Sequence, residues 1–116
     1  MTRHLATLTF IVVLLNSPMA VAEPNISGKW ESSLWWIRVE TTIKQEGANI
    51  SGVAQVYVLN GPPERYTFNG HIHDGRVQAT HKDGHAFSGK LNSAGQLNGF
   101  LTLASGQEVW VVASRR

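Results

Sequence analysis

Glycine recurs inside the hydrophobic segments of this chain, and this recurrence restricts its possible folds more than any other feature. Strand side chains alternate between two faces, so a glycine two residues from an apolar residue shares that residue's face. Glycine weakens a strand, and its repeated use on an apolar face is typical of strands that coil tightly around a barrel. Five segments carry such a glycine: ISGKW at Ile26, ISGVA at Ile50, FNGHI at Phe68, FSGKL at Phe87 and LNGFL at Leu97.

The remaining glycines mark turns between the hydrophobic segments. Glycine reaches positive φ without a Cβ clash, and Asn-Gly or Asp-Gly is a strong hairpin signal. The turn glycines are Gly47, Gly61, Gly75, Gly84, Gly95 and Gly106. Only the first connection, near Ser32 and Ser33, lacks one. The sequence therefore predicts an all-β domain, a single eight-stranded antiparallel up-and-down meander barrel with strands at 26–31, 35–45, 49–59, 65–73, 76–81, 85–91, 96–103 and 107–113.

Four of these turns also predict which residues pair across neighbouring strands. We take 82–84, 93–95 and 104–106 as three-residue loops with glycine in the left-handed region, and Asp74-Gly75 as a two-residue turn. The four turns give one consistent interior, and a slip of one residue would turn Leu91, Leu97 and Leu101 to solvent. The predicted pairs are Phe87 with Ala79, Gly89 with Gly99, Leu91 with Leu97, Leu101 with Val109, Ile72 with Val77 and, on the outer face, Phe100 with Trp110.

The start of the chain has the layout of a secretory signal peptide. Arg3 precedes an apolar run over 5–15, and Ala20-Val21-Ala22 ends the segment with small residues. The run is shorter than the roughly 20 residues of a membrane span. We expect residues 1–22 to be cleaved after Ala22, residues 23–116 to form the barrel domain, and the protein to be secreted or periplasmic with no membrane span after cleavage. The chain has no cysteine, so disulfides cannot stabilise it.

Charge argues against a nucleic-acid partner. The chain has 10 Lys and Arg against 8 Asp and Glu, and one of the basic residues, Arg3, belongs to the predicted signal peptide. The remaining basic residues are scattered singly and form no basic stripe. Catalysis also lacks support, because the sequence has no nucleophile elbow, no HExxH motif and no phosphate loop. We expect neither an enzyme nor a resident cofactor.

Four of the five histidines lie within 71–85 and suggest a metal site. The predicted registers separate them, however. His71 and His73 fall on the outer face near the Asp74 turn, whereas His81 and His85 face each other on the inner face at the opposite end. A single four-histidine site is therefore not expected, and we assign no residue as a metal ligand. His81 and His85 are predicted either as a polar pair at the rim or as groups that hydrogen-bond a ligand or bind a metal ion at a barrel mouth.

The opening ISGKW strand, the antiparallel meander and the late FSGKL strand resemble the calycin barrels, that is the lipocalins and especially the avidins. The resemblance implies a barrel with a ligand site at one open end. Avidins bind biotin through an Asn and a Ser after the first strand, a Tyr on the third strand and several tryptophans. Here Ser32 and Ser33 follow Trp30, Val53-Ala54-Gln55 follows Gly52, and Trp110 is the one late tryptophan, so biotin binding is not implied. A weaker resemblance links 68–84 and 87–106 to MORN repeats.

The aromatic residues suggest two surfaces. Trp30 and Trp35 share the inward phase with Ile37, Val39 and Ile43, where they either fill the barrel or stack on a ligand. The predicted ligand-binding residues are Trp30, Trp35, Tyr66, Phe68, His81, His85 and Phe87. Apolar residues on the outer face predict an interface with another chain. These interface residues are Val53, Tyr57, Phe100, Trp110 and Val112.

Two functions follow from these surfaces. The first is an exported, non-enzymatic binding protein that holds a small, mainly apolar ligand at one open end of the barrel. The second is a protein-interaction module, either an oligomer-forming barrel or an inhibitor of an extracellular enzyme, which acts through the outer apolar face. The expected partners are accordingly a small apolar ligand, or a second copy or another protein.

Overall fold

A computed structural model describes residues 23–116, so the predicted signal peptide lies outside the described residues. Each strand pairs antiparallel with the next, and β8 returns to pair with β1 through Trp30 opposite Arg115. The chain is thus a closed, all-β, up-and-down barrel of eight strands, as predicted. The strands are β1 (Gly28–Leu34), β2 (Ile37–Glu46), β3 (Asn49–Tyr57), β4 (Glu64–His73), β5 (Arg76–Thr80), β6 (Ala86–Leu91), β7 (Leu97–Thr102) and β8 (Glu108–Arg115).

The glycine turns set the registers that the sequence predicts. Gly84, Gly95 and Gly106 have φ of 95°, 81° and 94°, and each closes a three-residue loop. Asp74 and Gly75 form the two-residue turn with φ of 52° and 74°. All of the predicted cross-strand pairs are confirmed: Phe87 with Ala79, Gly89 with Gly99, Leu91 with Leu97, Leu101 with Val109, Ile72 with Val77 and Phe100 with Trp110.

Four of the five strand glycines lie where neighbouring backbones approach closely on the inner face. A Cβ at Gly70 would overlap the Gln78 carbonyl oxygen, and one at Gly99 would overlap the Ser88 carbonyl oxygen. Gly52 and Gly89 are equally crowded. These glycines permit the strong curvature of a small barrel. The prediction is wrong for Gly28, which is exposed, has φ of 130° and lies near the Arg115 guanidinium.

The first hairpin turn differs from the prediction. Leu34 pairs with Ile37, so Trp35 and Trp36 form the turn and β1 continues through Ser32 and Ser33. Trp35 has φ of 55°, a left-handed conformation that is strained for a bulky side chain and that usually favours glycine at this position. The turn was missed because it carries none of the residues that normally signal it. It also places Ser32 inside the barrel, where its side chain is buried.

The two ends of the barrel differ. One end carries the turns at 47–48 and 74–75 and the loop at 92–96, and its interior is filled by Trp30, Ile43, Ile50, Ile72, Val77 and Leu97. We call this the closed end. The open end carries the Trp35-Trp36 turn and the loops at 58–63, 82–84 and 104–106.

The segment 23–27, here called the N-terminal cap, seals the closed end. Ile26 is fully buried against the core, its amide donates to Gln45 Oε1 at 2.8 Å, and its carbonyl accepts from Trp30 Nε1 at 2.9 Å. The Arg115 guanidinium donates to the carbonyls of Ser27 and Asn25 at 2.7 and 2.9 Å. The cap is therefore joined to β1, β2 and β8 by hydrogen bonds. The prediction placed Ile26 in the first strand, 26–31, and is wrong on this point, because β1 begins at Gly28.

Candidate ligand site at the open end of the barrel

A cavity of 350 Å³ occupies the barrel interior and reaches the rim at the open end. The filled core and the N-terminal cap form its floor. Its wall is almost entirely apolar and includes side chains from all eight strands. Representative wall residues are Leu34, Val39, Ala54, Val56, Val77, Ala79, Phe87, Leu101, Val109 and Val111.

The glycines explain why the two inner phenylalanines do not fill this space. The tip of the Phe68 ring lies 2.7 Å from the position that a Cβ on Gly52 would take, directly across the strand pair. The Phe87 ring lies 2.5 Å from the corresponding position on Gly89. Each ring therefore lies against the barrel wall in space that only a glycine leaves free. The centre of the barrel stays open above the core as a result.

Polar groups meet this apolar cavity mainly at one side of the mouth. The rings of Tyr66, His81 and His85 all line the cavity, with centroids 5.2 to 6.1 Å apart. The Tyr66 hydroxyl donates to the Glu64 carboxylate. That hydrogen bond raises the pKa of Tyr66, with further contributions from burial and from the charges of Glu64 and Asp83. Tyr66 therefore stays a neutral phenol beside two carboxylates.

His81 is held by oxygen atoms on both sides of its ring. Its Nδ1 lies 2.6 Å from the Thr67 carbonyl oxygen, and its Nε2 lies 3.2 Å from Asp83 Oδ2. A carbonyl can only accept a hydrogen bond, so Nδ1 carries the proton. The side chain is only 9% exposed, so its orientation is fixed. His85 differs, because its Nδ1 is buried and has no hydrogen-bond partner among residues 23–116.

All of the residues predicted to bind a ligand line the cavity: Trp30, Trp35, Tyr66, Phe68, His81, His85 and Phe87. Trp30 belongs to the floor, whereas Trp35 stands at the rim and is 75% exposed. Their contact with a ligand stays a prediction. Sequence reasoning missed Ser32, because the first turn was placed there, and Glu64, because nothing in its neighbourhood marked it. Asp83 was assigned only to a turn.

The residues predicted as an interface lie on two separate surfaces. Phe100 and Trp110 stack edge to face with centroids 4.9 Å apart, and Val112 lies two residues further along β8. All three are exposed on the outer wall. Val53 and Tyr57 lie on β3, which β1 and β2 separate from β8. Arg38 covers the Tyr57 ring, with its guanidinium carbon 4.2 Å from the centroid.

His71 and His73 are exposed on the outer face, as predicted. His73 lies near Glu23 and Asp74, and one ligand atom from each of these three residues lies within 4.8 Å of the others. Glu23 is distant along the chain, so the sequence does not indicate that it lies beside His73. The Glu23 carboxylate accepts from the Asp74 and Gly75 amides at 3.0 and 3.3 Å. The hydrogen bond from the Asp74 amide lowers the pKa of Glu23, with smaller contributions from the Gly75 amide and the charge of His73. The two hydrogen bonds join the cap to the Asp74 turn.

No protein-family model, curated protein or solved structure matches this chain. In the described part of the chain, no helix has both the length and the apolar character needed to cross a membrane. Function must therefore be argued from the barrel itself.

Proposed function

We propose that this protein is an exported, non-enzymatic binding protein that holds one small, mainly apolar ligand inside the barrel. One observation carries the proposal, namely an apolar cavity of 350 Å³ that opens at one end and is sealed at the other. Natural ligand pockets range from about 300 to 1,000 Å³ and combine apolar walls with a few polar groups. An engineered apolar cavity of roughly 150 Å³ already binds benzene, so this one has room for a ligand about twice that size.

Two features of the sequence support the proposal. The resemblance to calycin barrels implies a ligand site at an open barrel end, which is where this cavity opens. Export rests on the basic, apolar and small-residue order of residues 1–22. The sequence has no catalytic motif that would turn the cavity into an active site, so we propose binding alone.

Filling the cavity tests the proposal. Val56 lines the cavity, whereas Val53 lies on the same strand and faces outward. We expect Val56→Phe to weaken binding of the neutral fluorescent probe N-phenyl-1-naphthylamine about 10-fold or more, because the phenylalanine ring occupies space that the probe needs, and a loss of about 1.4 kcal/mol is already tenfold in affinity. Val53→Phe makes the identical change outside and should leave binding unchanged. Titration of probe fluorescence measures both.

Two results would contradict the proposal. The first is a wild-type protein that binds neither this probe nor any of a panel of lipophilic compounds. The second is equal binding by the Val56 and Val53 variants, which would place the probe on the outer surface. Thermal unfolding of each variant checks that the barrel remains folded.

A second candidate function is association with another protein chain, in the first instance a second copy. The exposed Phe100, Trp110 and Val112 favour it, since adjacent exposed apolar side chains of this kind are typical of interfaces. Trp110→Glu should shift the sedimentation of an assembled wild type to that of a monomer, while Gln78→Glu on the outer face of β5 should not. A wild type that sediments as a monomer at all concentrations and retrieves no protein from an extract would contradict this function.

A further inference from the structure

The mouth of the cavity has a distinct chemical character. Five residues, which we call the mouth cluster, meet at one side of the rim: Glu64, Tyr66, His81, Asp83 and His85. Tyr66 and His81 already donate to Glu64 and to Thr67. The unused capacity therefore consists mainly of acceptors, namely carboxylate lone pairs and the second lone pair of the phenol oxygen.

The charge of the mouth cluster favours a cation over an anion. Glu64 and Asp83 are both carboxylates, and the negative charge of each raises the pKa of Tyr66. Two basic residues, Arg65 and Lys82, are adjacent in sequence to the cluster. Both are exposed, neither lines the cavity, and neither forms an ion pair within residues 23–116. A carboxylate placed at this rim would therefore meet like charges.

We propose that the bound ligand is an apolar molecule with a hydrogen-bond-donating head, specifically a primary amine, whose nitrogen lies at the mouth cluster while its apolar part fills the cavity. This inference rests on the proposed function. An ammonium donates three hydrogen bonds and accepts none, which matches the unused acceptors. A fatty acid of the same length is the ligand that this rim disfavours.

The size of the preference follows from electrostatics. At a wet surface, a unit charge about 4 Å from a carboxylate changes affinity by about 5-fold, and two carboxylates contribute here. Asp83 is well exposed, so solvent screens part of its effect. We therefore expect an amine to bind at least about 10-fold more tightly than a carboxylate with the same apolar chain, with the alcohol between them.

Three ligands with one chain test this inference: octylamine, octanol and octanoate, titrated at neutral pH by displacement of N-phenyl-1-naphthylamine. The variant Glu64→Gln with Asp83→Asn should reduce the preference for amine over carboxylate to about 3-fold or less. A control variant, Glu46→Gln with Asp74→Asn, removes the same charge at the closed end. It should keep the full preference.

The outcomes separate this inference from the proposed function. If octanol binds and octanoate binds as tightly as octylamine, the head-group inference fails and the apolar cavity stands. If the preference survives in the mouth variant, or disappears in the control variant, the mouth cluster is not its origin and the inference also fails. If none of the three ligands nor the probe binds, the proposed function fails as well.

Discussion

Replacing Gly99 by alanine is expected to lower the free energy of unfolding by about 3 kcal/mol, the upper end of the range for overpacked interiors. Gly99 faces Gly89 across β6 and β7, and its φ is not in the left-handed region. The obstacle is contact alone, because an added Cβ would overlap the Ser88 carbonyl oxygen and the Gly89 Cα. Those are backbone atoms, which cannot move aside without separating the two strands. Urea unfolding followed by circular dichroism measures the loss.

Gly95→Ala provides the matched control for this prediction. Gly95 lies in the loop that joins β6 to β7 with φ of 81°, and nothing lies within 4 Å of the position a Cβ would take. Its substitution meets only the backbone strain of a left-handed alanine, which costs about 1 to 2 kcal/mol. We therefore expect the Gly99 variant to lose clearly more stability than the Gly95 variant. The reverse order would mean that the strands are not as close at Gly99 as described.

The glycines explain why so much of the fold was predictable from the sequence. A turn glycine fixes loop length and hence register, so Gly84, Gly95 and Gly106 together determined how β5 to β8 pair. The strand glycines then indicated which face curls inward. The first hairpin was not predictable in the same way, since Trp35 adopts a conformation that its side chain disfavours. A pattern of residue types does not reveal strain that the rest of the barrel imposes.

The site was predictable only in part. Inward phase follows from alternation, so most of the residues proposed to bind a ligand were placed correctly around the interior, whereas Trp35 lies in a turn at the rim. Whether that interior is open or filled depends on side-chain orientation. The Phe68 ring lies over Gly52 instead of pointing to the barrel axis. No sequence pattern distinguishes these two orientations of the ring. The closure of one end was also unpredictable, because it depends on Ile26 leaving the strand and packing across the barrel.

Ile26→Ala is expected to lower the free energy of unfolding by about 3 kcal/mol, within the range found for buried isoleucine truncations. Ile26 is fully buried and fills the floor of the barrel against Trp30 and Ile72. The same change at Ile37, at the open end, should cost about 1 kcal/mol or less, because Ile37 is only partly buried and borders the cavity. Urea unfolding of both variants compares the two ends directly.

The N-terminal cap is expected to affect ligand binding as well as stability. An effect on binding would show that the cap forms the floor of the cavity and is more than a contact on the barrel surface. If the cap seals the cavity, the Ile26→Ala variant should bind N-phenyl-1-naphthylamine more weakly even under conditions where it is fully folded, because water then reaches the apolar wall from the closed end. Glu23→Gln loosens the contact with the Asp74 turn and leaves Ile26 in place, so its effect on binding should be smaller. Unchanged binding in a folded Ile26 variant, or equal stability losses at Ile26 and Ile37, would show that the barrel floor does not depend on the cap.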